Sequence, residues 1–156
     1  GSFQLLMGLE TLALRGKAHS ENANKLAAWL EADPRVSWVS HLSLESHPSH
    51  ERAKKYFRKN TYGAVLAFGP VGGRAAASKL IDNVKLATHL ANVGDAKTLV
   101  IHPGSTTHQQ LTDEEQIQCG VKPDMIRVSV GYETFADIVA DFDQALTAAQ
   151  SPAAAK

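Results

Sequence analysis

The chain has 156 residues, 44% hydrophobic and 21% charged, with sixteen Lys and Arg against sixteen Asp and Glu. That length fits one domain with a core of its own, and the charge balance excludes a chain that is basic overall, so neither a nucleic-acid nor a membrane-surface partner is expected. A single cysteine, Cys119, excludes an intrachain disulfide and agrees with an intracellular, cytoplasmic setting, and no apolar run reaches the roughly 18 residues of a membrane span.

Gly1-Ser2 has the look of a scar from tag removal, and the chain enters an apolar run at once, as if cut from something longer. Phe3, Leu6, Met7, Leu9, Leu12 and Leu14 predict a largely buried helix over 3–15. Glu10 interrupts the run and no small-residue cleavage site follows, so it does not read as a signal peptide. Ala23, Leu26, Ala27 and Leu30 predict an amphipathic helix over 21–31, stopped by Asp33-Pro34. Val36 to Val39 reads as a short strand, and Ser49 as the cap of a helix from His50 to Phe57. Ala64 to Phe68 reads as a second strand, and Gly72-Gly73 open a helix to about Val84. Leu86 to Ala91 and Thr98 to Ile101 read as two more strands, the latter ended by Pro103-Gly104.

Thr112 with Glu115 is a capping box, predicting a helix to Gly120. Met125 to Val130 alternates cleanly as a strand. Thr134 with Asp137 resembles a second box, opening a last helix to about Ala148, and 151–156 reads as a frayed tail after a domain spanning 1–150. Alternating strands and helices give an α/β or α+β domain without choosing parallel from antiparallel.

Alternation places Ile126, Val128 and Val130 on one face of their strand and Arg127 and Ser129 on the other. A guanidinium on a rigid strand can clamp a carboxylate through two parallel bonds, or form a surface salt bridge, for example to Glu133; spacing leaves both open. Asn92 to Thr98 links two strands through a loop made tight by Gly94. His102 and His108 lie six apart in a polar loop, a spacing that no helix or strand turns into a metal site. Gly69 to Gly73 lacks the Lys-Ser/Thr of a phosphate loop, and Cys119 at a helix C-terminus is badly placed for a nucleophile. No metal and no catalytic residue is expected in this chain.

Five segments, in this order, resemble the Cys/Met-metabolism family of pyridoxal-phosphate enzymes: Phe3 to Arg15, Tyr62 to Phe68, Asn92 to Leu99, His102 to His108, and Ile126 to Glu133. The resemblance runs from Phe3 to Leu146. It implies the small C-terminal domain of fold-type I enzymes, an α+β unit with a mostly antiparallel sheet of about four strands and helices on one face. It implies that Arg127 grips the α-carboxylate of a small amino-acid substrate. Asn92, where the family usually has serine, is implied to contact the same carboxylate, with Thr107 and the rest of the His102–His108 loop in support. Lys97 stands where many members have glutamate.

Pyridoxal phosphate is the implied cofactor, held mainly by upstream domains that carry its Schiff-base lysine, and homo-oligomers are the implied assembly. The Asn92–Lys97 segment, the uninterrupted first helix and the polar insert Leu42–Asn60 most resemble the O-acetylhomoserine sulfhydrylase branch, which replaces acetate with sulfide to give homocysteine. Cystathionine γ-synthase, methionine γ-lyase and an isolated, non-catalytic interaction domain are the alternatives.

Overall fold

A computed structural model describes residues 1–151. The chain runs α1 (Ser2–Glu10), α2 (Leu12–Ala32), β1 (Val36–Ser40), α3 (His50–Tyr56), β2 (Val65–Pro70), α4 (Gly73–Asn83), β3 (Thr88–His89), β4 (Leu99–Ile101), α5 (Asp113–Gln118), β5 (Ile126–Ser129) and α6 (Phe135–Gln150). The strands form one sheet in the order β1-β2-β5-β4-β3. Every neighbouring pair is antiparallel except β3 with β4. The expected mostly antiparallel sheet is therefore present, with five strands rather than about four.

One face of the sheet carries Leu66, Phe68, Val100, Ile126 and Val128, and α2, α4 and α6 cover it. These helices contribute Leu26 and Leu30, Leu80, and Ile138, Phe142 and Leu146, all at most 1% exposed. Phe68 and Phe142 meet edge to face, with ring centroids 6.1 Å apart. Each fully buried side chain of this size adds about 1.5–3 kcal/mol relative to exposure.

Several sequence expectations change. The helix over 3–15 is two helices broken at Thr11, and it is exposed rather than buried: Phe3, Leu5, Leu6, Leu9 and Leu14 are each at least 60% accessible. Apolar periodicity registers a demand for burial, and nothing among the described residues meets it. The helix over 21–31 is the second half of the longer α2. The strand over 86–91 shrinks to Thr88–His89 because the main-chain N–H groups before it are held by a side chain, as described below. Thr112 and Glu115 form the full capping box, whereas Ser49 and Thr134 stand at N-cap positions without making a side-chain bond. The tail expected over 151–156 lies, beyond Ser151, outside the described residues.

Candidate substrate-carboxylate site

Ile126 and Val128 are fully buried in the core, which turns Arg127 to the opposite face of the sheet. There the register sets it between Ala67 of β2 and Ile101 of β4. Neither neighbour offers charge or a hydrogen bond to a side chain. The guanidinium is half-buried, and its Nη2 donates to the main-chain oxygen of Asn92 at a long 3.4 Å. Among the described residues it has no carboxylate partner. The salt bridge to Glu133 that spacing left open is absent, because Glu133 is committed elsewhere: its carboxylate accepts from Thr98 N at 2.6 Å and from Thr98 Oγ1 at 2.9 Å.

The strand directions bring two loops to this arginine. β3 and β4 run parallel, and β5 runs against them, so the C-terminal ends of β3 and β4 and the start of β5 share one edge of the sheet. From β3 the chain folds back over the open face, laying Leu90, Ala91 and Asn92 against Leu99, Ile101, Arg127 and Ser129 with no cavity between them. Gly94, at φ +79°, makes the return possible, and Asp95 Oδ1 accepts from Lys97 N at 3.0 Å. The side chain of Asn92 is exposed, and its Oδ1 accepts from Val93 N at 2.9 Å. Its contact with Arg127 is thus through the main chain.

The loop is anchored where it rejoins the sheet. Besides the Glu133 bonds, Gly131 N donates to Thr98 Oγ1 at 3.0 Å and Tyr132 N to Ala96 O at 3.1 Å. A side chain at Gly131 would run into the main chain of Ala96 and Lys97, which is why the strand must end in glycine. On the far side, Asn22 Nδ2 donates to Gly131 O and Glu133 O, and His19 Nδ1 pairs with Val130 O at 2.7 Å, tying α2 to the same exit.

The second loop follows β4. His102 is buried, with Nδ1 on Ser105 Oγ at 2.9 Å and Nε2 on Pro123 O at 2.8 Å, so both ring nitrogens are structural. Gln116 of α5 reaches in and donates to Gly104 O, His108 O and Leu111 O. Thr107 stands exposed on this loop, and its hydroxyl pairs with His108 Nδ1 at 2.9 Å rather than with Arg127 or Asn92. The sheet therefore brings Arg127 and the Asn92 main chain together, with Thr107 on the adjacent loop.

Sequence reasoning passed over Asp141. It sits in α6 beside Ile138 and Phe142, only 6% exposed. Its carboxylate accepts from Lys85 N at 2.7 Å, Leu86 N at 3.0 Å and Ala87 N at 2.8 Å, which steers the chain into β3 and onward to Asn92. An acid inside the apolar stripe of a helix was the available signal, since such a group must find donors.

Every lysine of residues 1–151 is exposed except Lys79, which is half-buried and donates to Ser151 O. Pyridoxal phosphate is carried on a lysine amine, and no buried lysine among the described residues is suited to that. The chain's own residues fit the amino-acid end of such a site and not the cofactor end.

The described residues thus leave a guanidinium without a carboxylate partner among them on the open face of an α+β sheet. The family model for Cys/Met metabolism PLP-dependent enzymes matches residues 1–147, and the chain belongs to that family, whose cofactor is pyridoxal phosphate. It is 60% identical over 149 residues to homocysteine synthase of Schizosaccharomyces pombe, a match covering 96% of this chain and 34% of that protein. The crystal structure of a Campylobacter jejuni protein assigned as an O-acetylhomoserine (thiol)-lyase, containing N'-pyridoxyl-lysine-5'-monophosphate, matches with a TM-score of 0.87 at 42% identity, over 92% of this chain and 34% of that one. Cystathionine gamma-lyase from yeast matches with a TM-score of 0.89 at 34% identity, over 93% and 37%. The chain spans about a third of the length of the relatives it matches. No helix among the described residues is long and apolar enough to cross a membrane.

Proposed function

We propose that residues 1–150 form the substrate-side domain of a cytoplasmic, homo-oligomeric pyridoxal-phosphate enzyme that replaces the acetate of O-acetylhomoserine with sulfide, giving homocysteine. The observation that carries this reading is Arg127, a half-buried guanidinium without a carboxylate partner among the described residues, on the open face of a rigid sheet. Arg127 holds the α-carboxylate of the amino acid by paired charge-assisted bonds. Asn92 is the second contact to that carboxylate, and Thr107, on the neighbouring loop, is the third. Fixing the amino-acid end in this way sets the γ-carbon in one place, so that exchange proceeds with the entropy of positioning already lost. The cofactor, held by another part of the polypeptide, supplies the electron storage that lets the γ-substituent leave. The identity of 60% to a homocysteine synthase, and of 42% to the O-acetylhomoserine (thiol)-lyase structure against 34% to the cystathionine gamma-lyase of similar TM-score, favours the sulfhydrylase over its relatives.

The test is homocysteine formation from O-acetylhomoserine and sulfide by an enzyme carrying this domain. Arg127→Ala is expected to raise KM by about 30- to 5000-fold, the loss expected for a desolvated charge pair of roughly 2–5 kcal/mol. Unchanged kinetics with an intact fold would refute the assignment. The 156-residue chain alone, mixed with pyridoxal phosphate, is expected to give no borohydride-trapped adduct at a single lysine.

A further inference from the structure

The balance of charge over the whole chain conceals a local imbalance. Arg52, Lys54, Lys55, Arg58 and Lys59 stand within eight residues, against one acid, Glu51. All five are exposed. Lys54 pairs with Glu51 at 2.8 Å; the other four make no ion pair among the described residues. Large aromatic side chains are interleaved with them: Tyr56 is 73% and Phe57 46% exposed. Tyr62 lies beside both Phe57 and His50, its ring centroid 6.4 Å and 6.1 Å from theirs.

Beside these rings lies a cleft of about 1040 Å³ between α2 and the segment 43–62. Lys25, His50, Lys54, Lys59, Asn60 and Tyr62 line it. Glu21 and Glu45 also line it; Glu21 is paired with Lys17 at 3.8 Å. The acids leave the α3 rim as the cationic side.

We propose that this rim and cleft bind single-stranded nucleic acid. Such a strand presents a phosphate at every step for Arg52, Arg58 and Lys59, and a flat base for each exposed ring, the two contacts that sequence-tolerant binders combine. The other polyanions fit less well. An acidic peptide uses the cations and leaves the exposed rings idle. A duplex needs an element long enough to lie in a groove, and α3 has seven residues.

Anisotropy of a fluorescein-labelled oligouridylate of about twelve nucleotides, titrated with the 156-residue chain, tests this. Binding is expected to weaken with salt, with a log–log slope of about −2 to −3 for three or four phosphates. Phe57→Ala and, independently, the more exposed Tyr56→Ala are each expected to weaken it about tenfold. Arg58→Ala is expected to lower the slope by roughly one phosphate's share, and Lys85→Ala, away from the cleft, to change nothing. No binding at about 50 mM salt, affinity indifferent to both aromatic replacements, or tighter binding to phosphatidylglycerol vesicles or polyglutamate than to the oligonucleotide would each overturn the proposal.

Discussion

On the helical face of the sheet, Leu66, Phe68, Ile126 and Val128 meet α2, α4 and α6 in a close-packed, wholly apolar contact. On the other face, Arg127 lies under loops held by three polar side chains: Glu133 at one end of the first loop, Asp141 at the other, and Gln116 beneath the second. The first face depends on volume and is shared among many residues. The second depends on a few hydrogen bonds to main chain, each hard to replace. The sheet itself is common to both, so the rigidity that positions Arg127 comes from packing on the opposite side.

The largest expected effect separates the faces most sharply. Phe142→Ala removes the ring that meets Phe68 and is expected to cost about 3–5 kcal/mol in urea unfolding; a loss below about 1 kcal/mol would mean the helical face is not where stability resides. Arg127→Ala is the converse, with the steep loss of affinity stated above and a change in unfolding free energy within about 0.5 kcal/mol. Asp141→Ala is expected to leave three N–H groups unpaired and cost about 2–3 kcal/mol. Because it also frees the approach to Asn92, it should raise KM in the enzyme; hydrogen exchange at Lys85, Leu86 and Ala87 that stays slow would contradict its anchoring role.

The smallest effect concerns the 41–49 loop, tied to the packed face by Leu44. Burial holds the His41 imidazole below its usual pKa. The unfolded chain therefore takes up this proton at a higher pH than the folded one does. Its contribution is neutral above about 6.5, and stability is lost as pH falls below that value. His41→Gln is expected to flatten the pH dependence of unfolding just below 6.5. Asp33, lowered chiefly by its hydrogen bond with Arg35, acts in a separate, more acid window: its stabilisation is present above the usual carboxylate range and is lost as pH drops beneath it.

Alternation over 125–130 was enough to turn Arg127 away from the core, because a strand has only two faces and Ile126 and Val128 claim one of them. What Arg127 does there was not legible from spacing, since the fate of Glu133 was decided by Thr98, 35 residues earlier in the chain. Caps failed for a local reason. Thr112, at φ −66° and ψ 162°, has the extended backbone that lets its hydroxyl reach Glu115 N, whereas Ser49, at φ −104° and ψ 11°, does not. The helix at 3–15 misled in another way: its apolar residues cover more than half the circumference, a pattern that says buried without saying against what. The third strand was overextended because an acid in α6 holds Leu86 and Ala87.

Asp141 sets an order of events as well as a geometry. In synthesis residues 85–92 and then Arg127 are added before Asp141, and α6 is the last helix described. Until that helix docks, the segment entering β3 has no partner for three of its N–H groups. A nascent chain arrested at residue 140 would carry every residue proposed to touch the substrate and would still lack the means to assemble them.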